Sequence, residues 1–218
     1  MLTFVLAGLI TLALVVYFVA STSAPKNGSA IKASDAKTSA SVRRPASPRS
    51  DYLPEADARE LFGDATNTAP PVSIGTYQRQ LWLIHSATGR RIVPGNMSLR
   101  KFGIYSLNVR GNKYNAGGIR RAKPTVGAFL ELLPEPSNQF DPNAIAIGKT
   151  VDGKFARVGY VNKGLAKSLT KRMTAGTVFT CMVLRGGQNL DAPFSVLICT
   201  TDRLEYLRGN QTSITPWK

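Results

Sequence analysis

Short β-like runs separated by turn-forming residues fill the chain from about residue 103 to residue 200, and they restrict it to a mainly β fold. The runs cover residues 104–111, 127–133, 143–148, 154–161, 177–185 and 193–200. They are rich in β-branched and aromatic residues, which favour strands. Asp152 and Gly153 stand between two of them, and an Asp-Gly pair in this position predicts a two-residue hairpin turn. We therefore expect a small OB-like β-barrel with one or two short helices, and not an α/β enzyme.

One segment of the domain has helical periodicity instead. Within residues 162–175, Leu165, Leu169 and Met173 recur at intervals of four, which places them on one face of a helix. Asn162 precedes this pattern and suits the N-cap position. The segment predicts an amphipathic helix.

Residues 2–20 contain neither a charged residue nor a proline. In a helix they would extend about 28 Å, close to the thickness of the membrane hydrocarbon core, so they predict a single transmembrane helix. A signal peptide is the alternative, although no basic residue precedes the run. Six basic residues follow it before residue 50, opposed there only by Asp35. The positive-inside rule then predicts a single-pass membrane protein whose C-terminal domain is cytoplasmic.

The remaining segments differ in composition, which suggests boundaries. A flexible linker rich in Ser, Ala, Pro and Lys is expected over residues 21–75, with one short helix at residues 54–63. Residues 76–102 are expected to form a β-hairpin extension, with one strand over residues 76–84 and a turn around Gly89. The main domain then covers residues 103–200, and residues 201–218 form a C-terminal tail.

The chain of 218 residues has 28 Lys and Arg against 13 Asp and Glu, a formal net charge of +15. Residues 99–218 hold 18 of these basic and 7 of these acidic residues. Such an excess indicates a polyanionic partner, either nucleic acid or an anionic membrane surface. Phosphate-loop, serine hydrolase, zinc protease and paired CxxC motifs are absent from the sequence. We expect no catalysis, no cofactor, no metal and no small-molecule substrate.

The loop with the sequence EPSNQFDPNAI, residues 135–145, is dense in turn-forming residues. Asn138, Asp141 and Asn143 can bind their own backbone and fix an irregular loop. The same carboxylate and amides could also bind a sugar hydroxyl. Composition alone leaves both interpretations open.

The run EPSNQFDPNAIAI, followed after a hairpin by VGYVNKGLAKSL, resembles the HIRAN domain family over about residues 103–200. The resemblance implies a modified OB-like barrel that captures the 3′-hydroxyl end of single-stranded DNA. The upstream segment VRGNKYN resembles the family's basic and aromatic motif. By this resemblance Lys113 binds a phosphate and Tyr114 stacks on the terminal base. Asn115 stands where the family has a second aromatic residue.

The resemblance also implies roles for residues further along the chain. Asp141 matches the acidic residue that accepts the 3′-hydroxyl, and Asn138 matches an amide in the same loop. Three further residues match family positions in the binding site, namely Tyr160, Lys163 and Phe194. Lys167 completes the predicted DNA-binding set on its charge alone, as a phosphate contact that is independent of sequence.

Three functional hypotheses follow from these features. The first is a membrane-anchored module, without enzymatic activity, that binds single-stranded DNA or its 3′ ends. The second is a membrane-surface or protein-interaction module that has lost recognition of DNA ends. The third is an exported basic domain in which Cys181 and Cys199, which lie in neighbouring predicted strands, form a disulfide.

Overall fold

The computed structural model describes residues 51–63, 70–190 and 192–210. Its elements in chain order are β1 (Tyr52–Leu53), α1 (Glu55–Phe62), β2 (Val72–Tyr77), β3 (Gln80–His85), β4 (Arg91–Ile92), β5 (Tyr105–Asn108), α2 (Ala116–Ala122), β6 (Phe129–Pro134), β7 (Ile145–Val151), β8 (Lys154–Tyr160), α3 (Lys163–Thr174), β9 (Thr180–Arg185), β10 (Ser195–Cys199) and α4 (Thr201–Gly209). Two short 3-10 helices cover Arg100–Phe102 and Asn112–Asn115.

The predicted transmembrane helix at residues 2–20 lies outside the described residues, as do residues 21–50 and 64–69 of the predicted linker. Within residues 51–63, 70–190 and 192–210, no helix combines the length and apolarity needed to span a bilayer.

Six strands form the larger sheet, in the order β5-β10-β9-β6-β7-β8, with every neighbouring pair antiparallel. Strand β6 pairs with β9 through Phe129 and Leu130 and with β7 beyond that point. The two outer strands come together at one bridge, where Arg110 and Tyr160 exchange backbone hydrogen bonds of 2.8 and 2.9 Å. A small, mainly β domain is thereby confirmed. A closed barrel stays a prediction, since one isolated bridge links the sheet's outer strands.

The Asp-Gly hairpin and the amphipathic helix are found as predicted. Asp152 and Gly153 have φ angles of 50° and 71° and connect β7 to β8, as a type I′ turn requires. Helix α3 begins after Asn162, whose side chain accepts a hydrogen bond from the Leu165 backbone N–H at 3.0 Å. Leu165 and Leu169 are buried on its inner face.

Four strands form the smaller sheet, in the order β1-β4-β3-β2. The prediction of one strand over residues 76–84 is wrong, because Gln78 and Arg79 form a tight turn between β2 and β3. Both have positive φ angles, 50° and 60°, without the glycine that normally marks such a turn. The turn around Gly89 does connect β3 to β4.

The predicted linker at residues 21–75 extends too far, because its last part belongs to the fold. Leu53, Phe62, Val72 and Ile74 are buried in a core beneath the smaller sheet. Burial of these apolar side chains opposes the chain entropy that favours a flexible linker. Helix α1 matches the helix expected at residues 54–63.

The predicted C-terminal tail at residues 201–218 also needs correction. Its first part is helix α4, with Leu204 and Leu207 buried three residues apart on one face. The Tyr206 hydroxyl donates a hydrogen bond to the Pro70 carbonyl at 2.8 Å. Residues 211–218 lie outside the described residues.

Strands β9 and β10 are buried on both faces, which separates two hydrophobic cores. Cys181 belongs to the core on the side of α2 and α3, whereas Cys199 belongs to the core that includes the smaller sheet. Both thiols are free and buried, and burial raises the pKa of Cys199 to about 11 and that of Cys181 further. The Cys181–Cys199 disulfide of the third hypothesis is therefore wrong for this fold, because the two side chains point to opposite faces of the sheet.

Helix α2 was not predicted, because Gly117 and Gly118 weaken the helical signal. The structure explains the second glycine. A Cβ atom at Gly118 would lie 1.7 Å from the carbonyl oxygen of Arg157 in β8. Glycine is required here so that α2 can lie directly on the backbone of β8.

Candidate nucleic-acid interface

An open cleft of about 650 Å³ lies between the loop that connects β6 to β7 and the end of β8. Four of the nine predicted site residues line it, namely Asn138, Asp141, Tyr160 and Lys163. They come from the loop, from β8 and from the first residue of α3. The fold therefore brings together residues that are up to 25 positions apart in the sequence.

The loop is held in shape by its own side chains. The Asn138 Oδ1 atom accepts hydrogen bonds from the backbone N–H groups of Phe140 and Asp141, at 3.0 and 3.3 Å. The Asp141 Oδ1 atom accepts from the Asn143 backbone N–H at 2.9 Å and from its side-chain amide at 3.3 Å. The interpretation as turn architecture is thus confirmed for Asn138 and Asp141, whose side chains bind backbone N–H groups, whereas the Asn143 side chain binds the Asp141 carboxylate instead. The second carboxylate oxygen of Asp141, Oδ2, has no hydrogen bond to any described residue.

Glu135, which sequence reasoning did not select, connects the side chains of the cleft. Its carboxylate accepts hydrogen bonds from the Arg157 guanidinium at 2.6 Å, the Asn138 amide at 2.9 Å and the Tyr160 hydroxyl at 3.1 Å. The Glu135 side chain is only 17% exposed. Its position in the EPSNQFDPN motif was the available signal, since the carboxylate stands at the start of the loop it holds.

The Tyr160 hydroxyl is held in its protonated form. Burial raises its pKa, and the neighbouring Glu135 carboxylate raises it further, while Arg157 has the opposite effect. The Arg157 guanidinium carbon also lies 5.1 Å from the centre of the Tyr160 ring. The hydroxyl therefore remains a donor to Glu135 at neutral pH.

Phe140 is the second residue of the cleft that sequence reasoning missed. Its side chain is 81% exposed although it is large and apolar. The hydrogen bond from its N–H to Asn138 fixes its backbone at the rim of the cleft. An aromatic face held in this way is suited to stacking on a flat ligand.

The predicted residues Lys113, Tyr114 and Asn115 lie in the 3-10 helix beside the cleft, and none of them lines it. Tyr114 is 94% exposed. The Asn115 amide donates to the Gly111 carbonyl at 2.8 Å and so closes this turn. Asn115 thus stabilises the backbone of this turn.

Two predicted site residues lie elsewhere. Phe194 is 3% exposed and packs in the core on the side of α2 and α3, so its ring has no free face for a ligand. The assignment of Phe194 to the binding site is therefore wrong. Lys167 is exposed on α3 but does not line the cleft.

Charges within the cleft largely cancel. The carboxylates of Glu135 and Asp141 face the cations of Arg157 and Lys163, and Arg157 is already ion-paired with Glu135. Across the described ranges, no group of three His, Cys, Asp or Glu side chains is placed to hold a metal ion. The arrangement offers one hydroxyl-accepting carboxylate, one exposed ring and one exposed cation.

Comparison with solved structures finds the same resemblance as the sequence motif. The chain is similar to the HIRAN domain of human HLTF, with 19% identity over 53% of this chain and 94% of that one, at a TM-score of 0.36. It is also similar to a structural-genomics protein from Lactobacillus plantarum, with 20% identity over 44% of this chain and 95% of that one, at a TM-score of 0.35. No family model and no curated protein matches the chain. At these identities the matches assign neither a ligand nor a residue role.

Proposed function

We propose that the domain is a nucleic-acid-binding module that holds the 3′-hydroxyl end of single-stranded DNA in the cleft beside Asp141. The observation that carries the proposal is the placement of Asp141, Phe140 and Lys163 around one open cleft. Resemblance to HIRAN domains, given by the loop motif, supports the same function.

The chemistry of these three side chains fits a strand end. Asp141 keeps one carboxylate oxygen to accept a hydrogen bond from a hydroxyl group, and it would repel a terminal phosphate. Phe140 provides a stacking face, which is worth about 1–3 kcal/mol per base. The Lys163 ammonium group provides a phosphate contact that is independent of sequence.

The test is fluorescence anisotropy of the full 218-residue chain, in one mild non-ionic detergent, with labelled strands that differ only in their 3′ end. We expect tighter binding of a 3′-hydroxyl end than of a 3′-phosphate end. Phe140→Ala is expected to weaken binding by about 1–3 kcal/mol. Phe129→Ala is the matched control, because Phe129 is 48% exposed and lies outside the cleft. Equal affinity for both ends would remove end recognition from the proposal.

In this proposal the module binds DNA and catalyses no reaction. Residues 2–20 anchor it in a membrane, and the domain lies on the cytoplasmic side. Topology is tested by labelling with a membrane-impermeant maleimide in intact cells. The native thiols are buried, so Lys154→Cys, at the exposed first residue of β8, supplies the reporter. The proposal expects labelling only after the cells are permeabilised. Labelling in intact cells would place the domain outside.

A protein-interaction module is the second candidate, and one observation favours it. A second cleft of about 570 Å³ between β6 and the start of β9 is lined mainly by apolar side chains, including the exposed Phe129 and Val178. Exposed apolar surface of this kind often marks a protein contact. This candidate predicts that the domain fails to bind single-stranded DNA even at low salt.

A further inference from the structure

A ridge of basic residues borders the cleft, formed by Lys113, Arg120, Arg121 and Lys123, and we call it the α2 ridge. All four side chains are exposed. We infer that the α2 ridge binds the backbone phosphates of the nucleotides that precede the strand end in the cleft. The inference rests on the proposed function and adds the path of the nucleic acid beyond its last nucleotide.

The need for a second phosphate-binding surface follows from the charges of the cleft. Two carboxylates and two cations line it, so it attracts a polyanion only weakly as a whole. Single-stranded nucleic acids are usually held by a positive groove that follows the backbone, combined with aromatic stacking. The cleft supplies the aromatic ring and the hydroxyl acceptor but lacks the excess positive charge.

Helix α2 supplies this charge on one side. Ile119 and Ala122 are buried, and they direct this face of the helix into the core. Arg120 and Arg121 therefore project outwards, and no ion pair to either is found among the described residues. No acidic residue lies between positions 112 and 123. Arg120 and Arg121 therefore present two positive charges on the outer face of α2.

Two close contacts with β8 place the ridge next to the cleft. Gly118 brings α2 onto the backbone of Arg157, whose side chain lines the cleft. A Cβ atom at Gly111 would lie 3.9 Å from the ring of Tyr160, which also lines it. The turn that carries Lys113 therefore lies beside the cleft.

The dimensions suit several nucleotides. From Lys113 to Arg121 the helical path rises about 13 Å, and stacked nucleotides advance by roughly 3.4 Å each. Tyr114, which is 94% exposed, lies at the beginning of this path and offers a face for an unpaired base. We therefore expect contacts with about three phosphates upstream of the end.

The test compares the full chain with the double variant R120Q/R121Q on 3′-hydroxyl strands of two and ten nucleotides. The matched control is K149Q/K154Q, which removes the same charge from exposed positions in the hairpin of β7 and β8, Lys149 near the end of β7 and Lys154 at the start of β8. Affinity is measured between 50 mM and 1 M salt. Losing two phosphate contacts should lower the slope of log K against log salt by about 1.4 for the ten-nucleotide strand. At 50 mM salt this corresponds to a loss of up to about 60-fold.

The outcomes separate this inference from the proposed function. The inference is supported if R120Q/R121Q strongly lowers the affinity for the ten-nucleotide strand and leaves the affinity for the two-nucleotide strand nearly unchanged. The loss must also be larger than the loss caused by K149Q/K154Q. An unchanged slope of log K against log salt, or equal losses of affinity in both double variants, would contradict phosphate binding by the α2 ridge. Neither result would contradict binding of the strand end in the cleft. If the unmodified chain does not bind DNA, both the proposed function and the role of the α2 ridge are contradicted. Loss of binding to phosphatidylserine vesicles, with DNA binding unchanged, would assign the ridge to a membrane surface instead.

Discussion

Substitution of the two adjacent glycines of α2 should have opposite effects on stability. A Cβ atom at Gly118 would lie 1.7 Å from the Arg157 carbonyl oxygen and 2.7 Å from its carbonyl carbon. These are backbone atoms of a paired strand, so the helix itself must move by well over 1 Å. Overpacking of this kind costs about 1–3 kcal/mol, more than the helix gains when alanine replaces glycine, about 0.5–1 kcal/mol. Gly118→Ala should therefore destabilise the domain.

Gly117→Ala is the matched control in the same helix. A Cβ atom there would have no atom within 4 Å, so only the helix preference acts. We expect this variant to be more stable than the unmodified chain by about 0.5–1 kcal/mol. Urea denaturation followed by tryptophan fluorescence and by circular dichroism measures both differences. Equal changes in the two variants, or a stabilised Gly118→Ala, would refute the close packing of α2 on β8.

Three further predictions concern the cores. Burial and the nearby Arg90 lower the pKa of His85, so the unfolded chain is protonated first as the pH falls. The contribution of His85 to the free energy of unfolding should therefore be constant above about pH 6.5 and decrease below it. His85→Gln should remove that decrease in denaturation curves measured between pH 5 and 8. A fragment that starts at residue 76 lacks Leu53 and Phe62, and should give no cooperative unfolding transition, whereas the full chain should give one. Phe194→Ala should lower the free energy of unfolding by about 3–5 kcal/mol in urea, and a value below 1 kcal/mol would contradict its burial.

The predictable part of the fold is the part with strong local signals. The Asp152–Gly153 turn and helix α3, with its Asn162 cap, were located because turn and cap residues act on their immediate neighbours. The turn at Gln78 and Arg79 was missed because nothing local marks it. The polar alternation of residues 76–84 also continues across that turn, as in a single strand.

Elements held mainly by tertiary contacts could not be predicted. Strand β1 has two residues and is fixed by parallel pairing with β4, about 40 positions away. Helix α2 depends on close approach to β8, which its glycines permit but do not indicate. Residues 51–63 were assigned to a linker for the same reason, because β1 and α1 are held by contacts with distant parts of the chain.

The candidate site was predictable only in part, for a related reason. The motif EPSNQFDPNAIAI specifies the loop, so Asn138 and Asp141 were predicted from it. Tyr160 and Lys163 were predicted from the second motif, VGYVNKGLAKSL, and all four residues line the cleft. The hydrogen bonds of Glu135 connect three chain segments and become visible only in three dimensions. Phe194 was misassigned because a sequence pattern does not show to which side of β10 a residue in front of the strand points.

The most direct test of the central claim, that Asp141 recognises a 3′-hydroxyl, is a thermodynamic cycle. It combines Asp141→Asn with replacement of the 3′-hydroxyl by hydrogen in the same strand, and it measures all four dissociation constants at one salt concentration. Asparagine retains an oxygen for the Asn143 hydrogen bonds and removes the charged acceptor. A hydrogen bond to a carboxylate predicts a coupling free energy of about 1.5–3 kcal/mol, or roughly 10- to 150-fold. A coupling below about 0.3 kcal/mol would contradict the account, because Asp141 would then act independently of the hydroxyl.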